Sequence, residues 1–322
     1  MGGVFSLVLP FFGLIFLGVI VARLRPMPIE ALGWMNTFII YVALPALFFQ
    51  LLSKTPVEQL TQWRYVIGSV LATYTVFALM FAISTVTTRG DIATSMIKGL
   101  SAAYGNIGYM GPGLALLAFG EKAAVPVAII FCFENIMHFT IAPTMMALSG
   151  SDDRSAGALA LDIVRKIAMH PFILATVVGV LAAYLQFSPP LAVERLLDTL
   201  AKAAAPCALF AMGVTLALRP LKRVPDGIVM ITAIKLVLHP LICYLMLSWI
   251  GDFDPVWVFS AVLLASLPTA TNVFVIAQQY GVWVERASAT ILITTVLSVI
   301  SVTGLLYLMT EGLLPGDLFP AG

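Results

Sequence analysis

The chain has 322 residues, of which 61% are hydrophobic and 10% are charged, and its mean hydropathy is +1.03. A soluble domain carries about a quarter charged residues, so this composition excludes a soluble globular protein and indicates a polytopic membrane protein. The formal net charge of +1 identifies no charged partner. We expect the lipid bilayer as the environment and no nucleic acid.

Ten apolar stretches follow one another along the chain, each about 20 residues long and able to cross a bilayer as a helix. They cover approximately residues 4–22, 32–52, 65–86, 93–118, 124–148, 164–185, 192–217, 228–250, 256–279 and 287–309. The first stretch begins directly after Met1-Gly2-Gly3 without a basic region, which argues against a cleaved signal peptide. The sequence therefore predicts an all-α membrane protein with short loops.

Basic residues are distributed unevenly between the loops. Odd-numbered loops and their flanks hold Arg23, Arg25, Arg89, Lys98, Arg154, Arg165, Lys166, Arg219, Lys222, Arg223 and Arg286. Even-numbered loops hold only Lys54, Arg64, Lys122 and Arg195. By the positive-inside rule the odd loops face the cytoplasm. We therefore predict a multi-pass protein of the cytoplasmic membrane with both termini outside.

The second half of the sequence repeats the first at an offset of 161 residues, without a gap from the first span to the end of the fourth. The matching pairs include Pro10-Phe11 with Pro171-Phe172, Gly18 with Gly179, Pro45 with Pro206, Phe49 with Phe210 and Gly120 with Gly281. Each copy holds five spans, an odd number, so the second copy must be inverted in the membrane. We predict a first five-helix repeat over residues 1–150, a cytoplasmic connector over 151–163 and a second, inverted repeat over 164–322.

Two of the spans contain helix-breaking residues. Residues Gly105 to Gly113 of the fourth span include four glycines and a proline, which cost a helix roughly 1 kcal/mol per Gly and 3 kcal/mol per Pro. The repeat offset leads from there to Ser266 to Phe274 in the ninth span, which contains Pro268. Unpaired backbone is tolerated at membrane depth only where it is buried or lines a cavity. We expect the fourth and ninth helices to be broken and to cross at the midplane.

A broken helix presents half-helix N-termini, which bind anions through free N–H groups and the helix dipole. This chemistry suits a small organic acid, and the candidate substrate-binding residues are Gly105, Asn106, Gly108, Tyr109, Gly111, Pro112, Pro268, Thr269, Thr271 and Asn272. The alternative is that these glycines and prolines only kink closely packed helices, in which both residues are common.

Several titratable residues lie inside predicted spans, among them Glu134, His138 and Lys235, and a charge there is costly and should face a cavity or a partner. Glu134 and His138 are spaced i, i+4 and could share a proton, or Glu134 could be a purely structural buried acid. Lys235 could pair with Glu134, bind the substrate or extend to the membrane interface. We assign all three to coupling or charge compensation. The three cysteines are far apart in sequence, so we expect no disulfide, metal site or cofactor.

The chain resembles the auxin efflux carrier family, including its short bacterial members that carry organic acids. The resemblance extends over essentially the whole chain and is clearest in residues 36–48, in the first break and in residues 267–280. It implies carboxylate substrates, contact between Asn106 and the substrate carboxylate, and a homodimer formed through spans 1, 2, 6 and 7. One departure is that the family often has Leu-Pro-Asn where this chain has Tyr104-Gly105-Asn106.

No sequence feature of an enzyme or an ATP-driven pump is present. The chain has no His-Glu-x-x-His run and no P-loop. The sequence predicts a secondary active transporter of the efflux type for a small organic anion, which works by alternating access with proton or sodium coupling. The alternatives are an anion channel or uniporter-like facilitator, and a membrane-embedded sensor without transport.

Overall fold

The computed structural model describes residues 2–25, 28–56, 58–59, 62–150, 154–218 and 224–319. Regular structure in these residues is helical, and one isolated β-bridge joins Gly105 to Thr269. Part of the predicted connector, Ser151 to Asp153, lies outside the described residues, as do the basic residues Arg219, Lys222 and Arg223.

The described α-helices are numbered in chain order. They are α1 (Gly2–Leu24), α2 (Leu32–Phe38), α3 (Leu44–Ser53), α4 (Trp63–Thr87), α5 (Ile92–Ala103), α6 (Gly111–Phe119), α7 (Ala124–Leu148), α8 (Ala156–Ala168), α9 (Pro171–Tyr184), α10 (Leu191–Leu218), α11 (Ile228–Ala233), α12 (His239–Ile250), α13 (Pro255–Ser266), α14 (Thr271–Tyr280) and α15 (Val284–Thr310). Two π-helical turns, Ile39–Ala43 and Ile234–Leu238, join α2 to α3 and α11 to α12.

The described part of the chain contains 6 helical segments that are long and apolar enough to cross a membrane. A seventh span results if α8 and α9, which meet at 55°, are counted together. This confirms an all-helical protein with several membrane spans. The number is below the ten expected from the sequence in part because the predicted fourth and ninth spans are each divided into two helices, and because α8 and α9 meet at an angle.

The chain divides into two compact units. Unit 1 comprises Met1–Trp63, Gly108–Cys132 and Ala168–Pro220, and unit 2 comprises Arg64–Ile107, Phe133–Ile167 and Leu221–Gly322. Unit 1 therefore contains α1 to α3, α6, α9 and α10 with the start of α7. Unit 2 contains α4, α5, α8 and α11 to α15 with the rest of α7.

Unit 1 is built on two close helix contacts at glycines. A Cβ atom on Gly18 of α1 would lie 2.3 Å from the carbonyl oxygen of Phe210 in α10, and one on Gly213 would lie 1.9 Å from that of Ile15. A Cβ on Gly179 of α9 would lie 3.3 Å from the carbonyl oxygen of Phe49 in α3. Only glycine allows the backbones at Gly18 and Gly213 to approach this closely.

Some residues of these contacts are partners in the predicted repeat. At the offset of 161 residues, Gly18 corresponds to Gly179 and Phe210 corresponds to Phe49. The first repeat thus contributes the glycine to one contact, and the second repeat contributes it to the other.

Unit 2 has an apolar core that includes Met96 and Leu100 of α5, Met146 of α7 and Val273 of α14. Capping residues define where its short helices begin: Asp91 accepts the Thr94 N–H at 3.0 Å before α5, and Asp254 accepts the Val256 N–H at 2.8 Å before α13. Partial burial alone would raise the pKa of Asp91, but the hydrogen bonds from Thr94 outweigh it and hold this pKa below its usual value.

Glycines end two equivalent helices. Helix α6 ends at Gly120, with φ of 70°, and α14 ends at Gly281, with φ of 67°. No atom lies within 4 Å of the Cβ position of either glycine, so each is needed for its left-handed backbone conformation and not for space. Gly120 and Gly281 are also partners in the sequence repeat.

Candidate functional site

The two helix breaks pair with each other through their backbones. The Asn106 N–H donates to the Pro268 carbonyl at 2.8 Å, and the Ala270 N–H donates to the Tyr104 carbonyl at 2.9 Å. These bonds flank the antiparallel bridge between Gly105 and Thr269. Backbone groups that lose their helical partners at the breaks therefore satisfy one another, as a non-helical segment away from water requires.

Both breaks are shorter than the sequence indicated. Helix α5 ends at Ala103 and α6 begins at Gly111, so Gly111, Pro112 and Gly113 belong to the first turn of α6. Helix α13 ends at Ser266 and α14 begins at Thr271. The wider predicted breaks were wrong because proline and glycine are tolerated in the first helical turn, where the N–H groups have no partner within the helix.

The second break is fixed by side chains as well as backbone. The Thr269 hydroxyl donates to the Ser101 carbonyl of α5 at 2.7 Å, and the Thr269 N–H donates to the Thr294 hydroxyl of α15 at 3.2 Å. Thr269 is fully buried. Its hydroxyl proton is thus already used in holding α5 and α13 together in this conformation.

Tyr104 connects the first break to two amide side chains. Its hydroxyl donates to the Asn135 Oδ1 at 2.8 Å and accepts from the Asn272 Nδ2 at 2.9 Å. The His138 ring stacks on the Tyr104 ring, with centroids 3.7 Å apart and planes inclined by 22°. Tyr104 therefore brings α5, α7 and the first turn of α14 to one point.

A buried polar chain leads away from this point. The Thr73 hydroxyl donates to the Glu134 Oε1 at 2.6 Å and lies 3.2 Å from the His239 Nε2. The Lys235 Nζ is 2.9 Å from the His239 Nδ1 and donates to the Ala265 carbonyl at 2.7 Å, in the last turn of α13. Glu134, Thr73, His239 and Lys235 thus form a continuous connection to the second break.

The expected pairing of Glu134 with His138 is not present. Glu134 bonds to Thr73, whereas neither ring nitrogen of His138 has a hydrogen-bond partner among the described residues. No direct ion pair joins Glu134 to Lys235 within 4.0 Å in this part of the chain, because Thr73 and His239 lie between them. An i, i+4 spacing places two residues on one helix face but does not decide which neighbouring helix each side chain meets.

The remaining predicted residues of the first break lie in unit 1. Tyr109 donates its hydroxyl to the Asn36 Oδ1 at 3.4 Å, and a Cβ on Gly108 would lie 3.3 Å from the Phe131 ring. Gly111 and Pro112 are buried in the first turn of α6.

Comparison with known proteins shows what class of protein carries this arrangement. Residues 3–306 match the family described as membrane transport protein. A protein of Rhizobium meliloti (strain 1021) named "Putative malonate transporter" is 65% identical over 320 residues, which cover 99% of this chain and all of that protein. The chain belongs to the membrane transport protein family. The resemblance to auxin efflux carriers drawn from the sequence is confirmed at this level.

In a membrane transport protein the substrate must reach its site from water, so exposure separates the candidate residues. Asn272 is exposed, and Thr271, Gly108 and Tyr109 are half-buried. Asn106, Thr269, Glu134, His138 and Lys235 are buried, with exposed fractions of at most 6%. In the described conformation the Asn272 side chain is exposed, whereas the Asn106 side chain is buried.

Four residues of this membrane transport protein's polar cluster are not among the candidate site residues predicted from the sequence: Tyr104, Asn135, Thr73 and His239. Two of them carried a usable signal. His239 stands i+4 from Lys235, and Asn135 is adjacent to Glu134. Tyr104 and Thr73 carried none, because an isolated Tyr or Thr in an apolar span is usually part of the helix packing.

Proposed function

We propose that this protein is a secondary active carrier that moves a small dicarboxylate such as malonate across the cytoplasmic membrane. Membership of the membrane transport protein family supports transport, and the 65% identical relative named for malonate supports the substrate class. Efflux is the direction that the family resemblance favours.

The observation that carries this proposal is the pairing of the two breaks beside an accessible half-helix N-terminus. Helix α14 begins at Thr271, directly after the bridge between Gly105 and Thr269. First-turn N–H groups have no acceptor within their own helix and attract carboxylates, helped by the helix dipole. Thr271 and Asn272 add side-chain donors at the same position, so a carboxylate can be bound there without a full positive charge.

Asn106 takes a second role in this scheme. Its backbone N–H donates to the Pro268 carbonyl, and its side chain is buried in the described conformation. We propose that Asn106 contacts the substrate carboxylate in another state of the transport cycle, when the first break is rearranged. Gly105, Gly108, Tyr109, Gly111, Pro112 and Pro268 shape the break around it.

We further propose that the polar chain from Glu134 to Lys235 supplies coupling or charge compensation. A buried acid and a buried base joined through Thr73 and His239 can change their shared protonation while the substrate charge is carried. His138 stacks on Tyr104, whose hydroxyl accepts from Asn272. Protons fit this arrangement, and sodium is the alternative coupling ion.

The architecture we propose has ten spans in two inverted repeats, residues 1–150 and 164–322, with a cytoplasmic connector over 151–163 and both termini outside. The reciprocal glycine contacts of Gly18 and Gly179 support the repeat, as do the equivalent ends of α6 and α14 at Gly120 and Gly281. A homodimer remains part of the proposal on family resemblance.

Counterflow in proteoliposomes tests the function directly. Vesicles preloaded with unlabelled malonate should accumulate labelled malonate transiently, which a channel or a sensor cannot do. A panel of mono- and dicarboxylates in the same assay then defines the substrate class. Uptake without counterflow would instead show an uncoupled channel.

Two variants test the site. Asn272→Ala and Asn106→Ala each remove a hydrogen bond to a charged group, worth about 1.5 to 3 kcal/mol, so the apparent affinity should fall at least about tenfold. Gln278→Ala, on the other face of α14, should leave transport unchanged. If both Asn variants exchanged every substrate at the wild-type rate and affinity, the binding site would not be at the paired breaks.

A further inference from the structure

Unit 1 contains a second place suited to anions, away from the paired breaks in sequence. An open cavity of about 580 Å³ is lined by residues at the end of α3 and the turn that follows, at the 3-10 turn Gly120–Ala123 with the start of α7, and at the start of α10. Small-molecule sites commonly measure about 300 to 1,000 Å³, so the cavity is large enough for a dicarboxylate with its water.

Six charged side chains line this cavity: Lys54, Lys122, Arg195, Glu121, Glu194 and Asp198. Lys54 pairs with Glu194 at 2.9 Å, and Asp198 pairs with Lys202 at 2.6 Å. Lys122 and Arg195 have no side-chain hydrogen bond or ion pair among the described residues. Among the charges that line the cavity, two cations and one acid, Glu121, therefore have no ion-pair partner among the described residues.

The position of these cations runs against the general distribution of charge in the chain. The even-numbered loops, which we place outside, contain only four basic residues, and three of them line this one cavity. The positive-inside bias depletes that side of basic residues. Three of the four basic residues of the even-numbered loops therefore lie at one cavity. The fourth, Arg64, lies beside Gly251 in unit 2.

We infer that this cavity is an outer anion vestibule, in which Lys122 and Arg195 hold a free small dicarboxylate transiently and so raise its concentration at the outer face of the carrier. This inference rests on the proposed function, since it concerns the same class of substrate. Two cations match two carboxylates, and once the paired charges cancel, Lys122 and Arg195 leave an excess of positive charge over Glu121, which favours the capture of an anion. The Lys54–Glu194 pair joins the end of α3 to α10 at the cavity wall.

The exposed positions of Lys122 and Arg195 determine what the vestibule does to transport. Interactions between exposed charges are screened within about 10 Å at 0.1 M salt. The vestibule should therefore assist capture at low ionic strength and have no effect at high ionic strength. It should leave the maximal rate unchanged, because the translocating site is elsewhere.

The test compares Lys122→Gln/Arg195→Gln with wild type in proteoliposomes of neutral phosphatidylcholine. Initial malonate uptake from the outside is measured over a range of concentrations at low and high ionic strength. We expect kcat/KM to fall about fivefold at low ionic strength, which corresponds to about 1 kcal/mol, and to equal the wild-type value at high ionic strength. Glu121→Gln should shift kcat/KM in the opposite direction.

The control variant is Arg23→Gln/Arg25→Gln, which also removes two positive charges, at the C-terminal end of α1 in unit 1. Equal salt dependence in this control and in the vestibule variant would overturn the inference and leave the carrier function intact. A salt-dependent difference that appears only when anionic lipid is added would also overturn it, because the occupant would then be a lipid headgroup. Wild-type protein that moves no carboxylate at all would instead refute the proposed function.

Discussion

The two helix breaks meet at one bridge but are built in different ways. The first, Tyr104–Met110, contains Gly105 and Gly108 and no proline. The second, Leu267–Ala270, contains Pro268 and is shorter. Glycine leaves the backbone free to take several conformations, whereas proline fixes one torsion angle.

The contacts of the two breaks differ in the same sense. Thr269 of the second break is bonded to both α5 and α15, and the Ala265 carbonyl just before this break accepts Lys235. Residues 104–107 of the first break are held by backbone bonds to Pro268 and Ala270 and by the Tyr104 hydroxyl. From the backbone chemistry of proline and glycine we therefore expect the proline break to be the more rigid of the two and the glycine break to adapt to it.

The largest effect should come from the ionisable chain that ends at the rigid break. Glu134→Gln keeps an acceptor for the Thr73 hydroxyl but cannot ionise. We expect uptake driven by a pH gradient to be abolished while malonate counterflow continues. The measurement is uptake with and without an imposed pH gradient in the same vesicles.

Glu311→Gln, at the end of α15 in unit 2, is the control for this variant and should retain pH-driven uptake. Unchanged pH dependence in Glu134→Gln would remove Glu134 from the coupling scheme. It would leave the comparison between the breaks to stand on backbone chemistry alone.

A smaller effect is expected from adding a side chain to the glycine break. A Cβ on Gly105 would lie 3.0 Å from the Leu264 carbonyl oxygen and 3.4 Å from the Lys235 Nζ. Gly105→Ala therefore requires a shift of a few tenths of an ångström at the bridge, and we expect the counterflow rate to fall about tenfold, since displacements of about 1 Å can cost about 100-fold.

Gly304→Ala in α15 is the matched control, because no atom lies within 4 Å of its Cβ position. It should transport normally and gain helix stability of at most about 1 kcal/mol. Normal transport by Gly105→Ala would show that the first break adjusts on its own and does not depend on the second.

The smallest effect should be seen in stability. Thr269→Val preserves shape but removes the hydroxyl that bonds the Ser101 carbonyl, at an expected cost of about 1 to 2 kcal/mol. Thr290→Val removes a buried hydroxyl that bonds only the Arg286 carbonyl of its own helix, so it should cost less. Thermal unfolding in detergent compares the two variants, and equal melting temperatures would argue against Thr269 as the anchor of the rigid break.

The sequence predicted where the helices break but not how far each break extends. Gly and Pro indicate a break because each disfavours a helix through its own backbone, and this property can be recognised from the sequence alone. The same residues are accepted at a helix start, so the boundaries at Gly111 and Thr271 depended on which N–H groups found partners in the fold.

The side-chain partners were harder to predict. Glu134 and Lys235 were recognised because charge is rare in an apolar span, but the residues that connect them, Thr73 and His239, are fixed by helix packing. In the sequence Tyr104 is simply the residue before the break, yet its hydroxyl contacts Asn135 and Asn272. Contacts between residues 31 and 168 positions apart leave no local pattern in one sequence.

The glycine contacts of unit 1 have a consequence for how this protein can change over time. Where α1 crosses α10 at Gly18 and Gly213, main chain lies against main chain and no side chain separates them. A methyl group added there would clash with backbone atoms, and no side-chain rotation can relieve the clash. The two helices would have to move apart. Substitutions should therefore be tolerated on the exposed sides of both helices and excluded at these two positions.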